Sequence, residues 1–190
     1  DYAADTTVIM DFLKLTPEMV IEKLGGRPHV VVASPPCTTF SIASCSHHWN
    51  APLEDGTRTP KSEAAVIGLQ LLEHTLYLIK ELKPDYWFIE NPRGLMRKMD
   101  CWDNIEHLRH TVWYCQYGDT RAKPTDIWTN SYRWTPRPQC KNGNPDCNHT
   151  RAPRGSPTGT QGLKNNAERS LIPEELCKEI MFSCTRELMI

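Results

Sequence analysis

Two short apolar runs separated by one long amphipathic segment constrain this chain more than any other feature. The first is His29-Val30-Val31-Val32-Ala33 and the second is Asp85-Tyr86-Trp87-Phe88-Ile89. Each reads as a strand covered on both faces, because a run without polar alternation has no side to give to water. Between them, Val66, Leu69, Leu72, Leu76, Ile79 and Leu82 recur every three or four residues, with Glu63, Gln70, Glu73 and Lys80 interleaved. That spacing predicts a helix over 62–82, stopped by Pro84. Strand, helix and strand in succession point to an α/β fold with a doubly wound, mostly parallel sheet. A chain of 190 residues is long enough to bury the core such a sheet needs.

The remaining segments extend this frame. Residues 6–13 read as a strand or strand end that stops at Asp11. Thr16-Pro17-Glu18 predicts a helix start, with Thr16 as cap, and Gly25-Gly26 predicts its end. A short helix is expected near 101–109, then strands over 111–117 and 125–130 on either side of a basic turn. Residues 131–166 change character, with five prolines, four glycines and six Lys or Arg against the single acid Asp146. A C-terminal helix opens at Ile172-Pro173-Glu174, with Leu176, Ile180, Cys184 and Leu188 on one face. The expected organisation is a core over 1–130, a basic Gly/Pro-rich loop over 131–166, and a helix within 167–190 that packs on the core.

Composition excludes several classes of protein. Lys and Arg total 22 against 23 Asp and Glu, so the chain is no basic nucleic-acid coat, although a local patch can sit inside a neutral total. The apolar runs are too short to span a bilayer, and no export leader is recognisable, so a cytoplasmic protein without a membrane partner is expected. Eight irregularly spaced cysteines suit a reduced protein better than a disulfide scaffold. Trp49, Trp102 and Trp134 read as packing residues.

The chemistry gathers where the apolar runs break. The first gives way to Ser34-Pro35-Pro36-Cys37 and the second to Glu90-Asn91-Pro92. Ligands of open α/β sheets bind outside the carboxyl ends of the strands. Cys37 and Glu90 are therefore expected on one rim, a proline-stiffened thiol beside a carboxyl, which is a pairing suited to nucleophilic and acid–base work.

These residues resemble a known family. Ser34-Pro35-Pro36-Cys37-Thr38-Thr39-Phe40-Ser41 is similar to the Pro-Cys nucleophile loop of DNA (cytosine-5) methyltransferases, and Phe88-Ile89-Glu90-Asn91-Pro92 to their Glu-Asn motif. Gln116-Tyr117-Gly118-Asp119-Thr120-Arg121-Ala122-Lys123, followed by Ile127-Trp128, resembles their Gln/Arg-bearing segment. The likeness covers most of residues 5–185 and is greatest to compact, phage- or prophage-type members, which also end in a segment like Glu168–Cys177.

The resemblance implies a Rossmann-like fold of the class I methyltransferase type, truncated at its N-terminus. It implies S-adenosylmethionine as methyl donor and double-stranded DNA as partner, inside a bacterium or a phage-infected host, in DNA methylation or restriction-modification. Cys37 would attack carbon 6 of a flipped cytosine, and Glu90 would hold the ring near N3 and the exocyclic amine. Arg121, with Lys123, would steady the flipped base or its phosphate. Asp11 and Phe12 would meet the donor's adenine end, and Pro36 its methionine end. The glycine-rich donor loop of the family has no counterpart here, and neither has the acid for the ribose unless Asp1 or Asp5 stands in. The alternative is therefore a DNA-binding module that keeps the fold without loading the donor. Ser41, Arg133, Arg137, Arg151 and Arg154 are the residues expected to touch DNA, mostly through phosphates. Cys140-x6-Cys147-x-His149 could supply three zinc ligands, with Cys115 or another residue as the fourth.

Overall fold

The computed structural model of the chain describes residues 8–102, 104–151 and 166–185. In chain order its elements are α1 (Pro17–Leu24), β1 (Val30–Ala33), α2 (Cys45–His48), α3 (Glu63–Leu82), β2 (Tyr86–Pro92), β3 (Arg109–Trp113), β4 (Pro124–Thr129), α4 (Asn166–Ser170) and α5 (Glu174–Thr185). The Leu188 position of the expected C-terminal stripe lies outside the described residues.

Local chemistry sets the helix ends where the sequence leads one to expect them. Thr16 Oγ1 accepts from the Met19 amide at 3.3 Å, and Gly25, at φ 72°, ends α1 in the left-handed region. Ser62 Oγ accepts from the Ala65 amide at 3.2 Å to open α3, and Lys83 closes it at φ 48° ahead of Pro84. Upstream of α1 the expected strand is not found among residues 8–13. Phe12–Lys14 instead form a 3-10 turn, because the Asp11 carboxylate caps the Leu13 amide at 3.1 Å and draws the backbone out of extension. Residues 6 and 7 of that expectation lie outside the described residues.

The four strands are ordered β1-β2-β4-β3. β1 and β2 are parallel, from Val30 opposite Tyr86 to Ala33 opposite Ile89, with α3 as the crossover between them. β4 is inserted antiparallel to both β2 and β3. Three strands thus run one way and one is reversed, so the sheet is mixed, with one parallel and two antiparallel pairings. The reversal follows from the link between Trp113 and Pro124, which is shorter than the dozen or so residues a parallel crossover requires. β1 stands at the sheet edge with Val32 59% exposed, so the expected two-sided cover reaches β2 but not β1.

Side chains fill both faces of the sheet. One core joins Leu72 and Ile79 of α3 with Phe40, Trp49, Ile89, Met96, Trp102 and Trp128. The other joins Leu176, Ile180 and Cys184 of α5 with Phe88, Val112, Tyr114, Ile127 and Trp134. Trp49, Trp102 and Trp134 are all buried, as expected of packing residues. The Trp102 ring stacks on Trp128 at 4.1 Å between centroids, and its indole N–H donates to Met96 O at 2.7 Å. That anchoring replaces the helix expected over 101–109 with separate 3-10 turns at Asp100–Trp102 and Glu106–Leu108. β3 consequently begins at Arg109, and Tyr114–Tyr117 curl into a further 3-10 turn where extension had been expected.

Candidate active site at the ends of the first two strands

The parallel pairing of β1 and β2 brings their carboxyl ends to the same rim. Ala33 is opposite Ile89, so the Ser34–Cys37 loop leaves β1 beside Glu90 and Asn91. Asn91 Nδ2 donates to Pro35 O at 2.8 Å and ties the two strand ends together, while its own Oδ1 is buried with no partner among the described residues. Two glycines let the neighbouring backbones approach. A Cβ on Gly94 would lie 2.4 Å from the Phe40 carbonyl oxygen, and the following Leu95 amide donates to that oxygen at 2.7 Å. A Cβ on Gly68 of α3 would lie 2.8 Å from Thr39 Oγ1, so a larger residue there would force the buried Thr39 side chain beside the Cys37 loop to shift.

Cys37 is half-buried. Burial pushes its thiol above the ordinary value, the Lys123 ammonium opposes that shift, and the Glu90 carboxylate adds to it. Glu90 is 7% exposed and accepts a 2.7 Å hydrogen bond from the Tyr114 hydroxyl. Lys123 is 7% exposed, donates to Arg169 O at 3.0 Å and lies over the Tyr114 ring at 4.8 Å. Its ammonium is held below the usual lysine range by burial, partly offset by Glu90. A thiol, a carboxylate and an ammonium are therefore within electrostatic reach of one another in partly dry surroundings. That grouping can add a nucleophile to an electrophilic carbon and manage the charge that results.

Arg121 lies against the same group, its guanidinium 5.9 Å from the centre of the Tyr114 ring and sharing the Arg169 carbonyl with Lys123. Arg121 is buried and its guanidinium is fully committed. It chelates Asp119 and donates to the carbonyls of Glu168 at 3.0 Å, Arg169 at 3.2 Å and Leu171 at 3.2 Å. In the structure it is a pin between the turn after β3 and the segment before α5. Arg137 is similarly engaged, donating to Glu179 at 2.7 Å, Glu175 at 2.8 Å and Gln116 O at 2.6 Å. Arg133 packs against the ring of Tyr132, which is 81% exposed. Arg151 is exposed, and Arg154 lies outside the described residues. Ser41 caps the Ala43 amide in the turn after Cys37. Asp11, Phe12 and Pro36 are exposed, with the Phe12 ring edge-on to His74 at 5.3 Å. Two clefts flank α5, one lined by Arg133, Trp134 and Phe182 and the other by Tyr117, Arg121 and Glu175; neither includes Cys37 or Glu90.

Sequence reasoning missed Tyr114 and the Asn91 tie. A signal for Tyr114 existed, since it follows β3, whose direction brings its end to the same rim. Asn91 gave none, because its partner is a main-chain carbonyl. Cys140, Cys147 and His149 do converge, and Cys115 completes the group; their ligand atoms all lie within 4.8 Å of one another. No disulfide joins any of the eight cysteines, and no helix among the described residues is long and apolar enough to cross a membrane.

No family model matches the chain. It is 28% identical over 166 residues to a protein of Frog virus 3 (isolate Goorha) described as a probable DNA (cytosine-5)-methyltransferase, a match covering 82% of this chain and 75% of that relative.

Proposed function

We propose that this chain is a DNA (cytosine-5) methyltransferase of compact type, with Cys37 as nucleophile and Glu90 and Lys123 as its charge partners. The observation that carries the reading is the meeting of a half-buried thiol after β1, a buried carboxyl of β2 and a buried ammonium just before β4 on one rim of the sheet. The viral relative supports the class of reaction.

Carbon 5 of cytosine is a poor nucleophile until the ring is activated. Cys37 Sγ, as thiolate, bonds to carbon 6. The electron pair of the 5,6 double bond then moves into the ring toward N3, where Glu90, entering this step as the carboxylic acid, gives its proton to N3 while its other oxygen accepts from the exocyclic amine. Tyr114 holds Glu90 by its 2.7 Å hydrogen bond. Lys123 favours the thiolate over the thiol, and burial of the pair keeps that attraction from being screened by water. In the resulting enamine, carbon 5 is nucleophilic. After substitution there, the carbon 5 proton passes to water, Cys37 departs as thiolate and the N3 proton returns to Glu90, which restores the aromatic ring and the enzyme.

The methyl donor in this reading is S-adenosylmethionine, which when bound supplies an electrophilic methyl group. Asp11, Phe12 and Pro36 would hold it. They suit such a ligand in that Phe12 and Pro36 leave apolar surface open, with a carboxylate adjacent in the chain. Asp1 and Asp5, the candidate ribose partners, lie outside the described residues.

DNA follows from the same reading, since the reacting base must leave the helix to meet Cys37. Arg133, Arg151 and Arg154 are the proposed phosphate contacts, with Ser41 beside the base. The deciding test uses duplex DNA containing 5-fluorocytosine together with S-adenosylmethionine. A covalent complex stable to denaturation is expected, because fluorine at carbon 5 cannot leave as a proton does. Cys37→Ala should abolish it. An adduct unchanged in Cys37→Ala removes the assignment, and retention of DNA without any adduct leaves a binding module.

A further inference from the structure

Residues 138–151 contain no Val, Ile, Leu, Met, Phe, Tyr or Trp, so they have no hydrophobic anchor. Within that stretch only Cys140 and His149 are buried. A Gly/Pro-rich loop does not bury a thiol and an imidazole without some return for the lost chain entropy. What lies around them is two more thiols, Cys147 from the same loop and Cys115 from the turn after β3.

We propose that Cys115, Cys140, Cys147 and His149 form a structural zinc site that staples the basic segment to the turn after β3. Cys140 Sγ and His149 Nδ1 are 3.7 Å apart. In a tetrahedral site with Zn–S of about 2.3 Å and Zn–N of about 2.0 Å, neighbouring ligand atoms are about 3.5–3.8 Å apart. The remaining ligand pairs, all within 4.8 Å, need only small side-chain rotations to close on one centre. Three thiolates and one imidazole are the donor set zinc prefers, and four protein ligands leave no open position, so the role is structural. The surroundings suit charged sulfur. Asn144 Nδ2 donates to Cys140 Sγ at 3.6 Å, and Gln116 Nε2 donates to Cys147 Sγ at 3.6 Å. Coordination through Nδ1 puts the His149 proton on Nε2, so the 3.1 Å bond that Nε2 accepts from the Gly143 amide is given up when metal binds.

The staple has a direct route to the strand ends. Cys115 adjoins Tyr114, whose hydroxyl reaches Glu90, and Thr150 N donates to Thr120 O at 2.9 Å one residue from Arg121. Metal binding therefore orders the loop and the rim turn together. The inference stands on this cluster alone and does not depend on methyl transfer.

The test is elemental analysis of the full chain purified without chelator, followed by cobalt(II) exchange. One zinc per chain is expected, and cobalt should give the sulfur-to-metal charge-transfer and visible bands of a tetrahedral, thiolate-rich site. Cys140→Ser and Cys147→Ser should each lose the metal, while Cys45→Ser and Cys177→Ser retain it. If the first two variants do not fold, stripping zinc from the wild type decides the matter. Tryptic cleavage at Lys141 should then accelerate at least tenfold and return to its starting rate when zinc is restored. Absence of both zinc and cobalt uptake, metal kept by Cys140→Ser and Cys147→Ser, unaltered cleavage after stripping, or a native Cys115–Cys147 disulfide would each overturn the assignment.

Discussion

Replacing Lys123 with methionine isolates what the ammonium does for Cys37. The side chain keeps its length and apolar stem but loses its charge. Burial raises the Cys37 thiol, Lys123 is the largest influence opposing that rise, and Glu90 reinforces it. A single opposite charge in such surroundings is worth about one pKa unit or more, or about 1.4 kcal/mol between thiol and thiolate. At a pH below the thiol's pKa, a one-unit rise cuts the thiolate fraction about tenfold. The remaining thiolate is more nucleophilic by roughly threefold, because intrinsic reactivity climbs with basicity at a slope of about 0.4–0.5. Attack on a thiosulfonate reagent should therefore slow by about three- to fourfold in Lys123→Met. Peptide-resolved mass spectrometry would read Cys37 separately from the other seven cysteines. Glu90→Gln must shift the rate the opposite way, since it removes a charge that disfavours the thiolate. Opposite signs distinguish electrostatics from loosened packing, which would speed labelling in both variants. Two variants moving together, or a Cys37 rate indifferent to both, would refute the reasoning.

Three further outcomes follow from named contacts. Asp126, 1% exposed, accepts from Arg97 Nε at 2.8 Å and from the Thr111 hydroxyl at 2.8 Å, so Asp126→Ala strands a cation and should cost about 3–5 kcal/mol in chemical denaturation, with the double variant Arg97→Met/Asp126→Ala recovering most of it. Gly94→Ala drives a methyl group into the Phe40 carbonyl and should lower stability by about 2 kcal/mol, or roughly 4–8 °C in thermal unfolding; an unchanged melting temperature would mean the two loops do not meet as described. Asp119 is pushed up by burial, but Arg121's hydrogen bonds outweigh this and hold it below the ordinary carboxylate value. A depressed folded-state value contributes stability that is present above the ordinary Asp pKa of about 3.9 and disappears as pH falls through the lower folded value, so Asp119→Asn should flatten the acid side of the stability profile; an acid limb identical to wild type would contradict the pairing.

What the sequence disclosed and what it hid divide along the range of the forces involved. The β1–α3–β2 unit was legible because its signals are local: unbroken apolar runs, a 3.6-residue stripe, a Ser62 cap and a proline stop. The Cys37–Glu90 rim was legible for the same reason, since parallel pairing of two such runs puts whatever ends them side by side. The insertion of β4 between β2 and β3 was not, because it is decided by pairing partners such as Glu90 and Ile127 that nothing in the intervening chain announces.

Cations were the least legible residues, and the cause is general. Arg121 is held chiefly by Asp119 and three carbonyls of the Glu168–Leu171 segment, and main-chain acceptors leave no trace in residue type. Arg137 belongs to the most basic stretch of the chain, yet its charge is answered by Glu175 and Glu179 of α5, beyond the end of that stretch. Counting charge along a segment therefore overstates the positive field it presents, because compensation comes through space from elements far along the chain. Lys123 differs in kind: among the described residues its hydrogen bond goes to a neutral carbonyl, Arg169 O, and its charge lies beside Glu90 and Cys37 in a site where burial has already raised the thiol. Retaining a buried ammonium there costs desolvation that a structural clamp would recover through an acid partner of its own. Here the neighbouring Glu90 and Cys37, the Tyr114 ring and the Arg169 carbonyl are what face that ammonium, so in the proposed reaction it is the cation placed to answer negative charge on the sulfur.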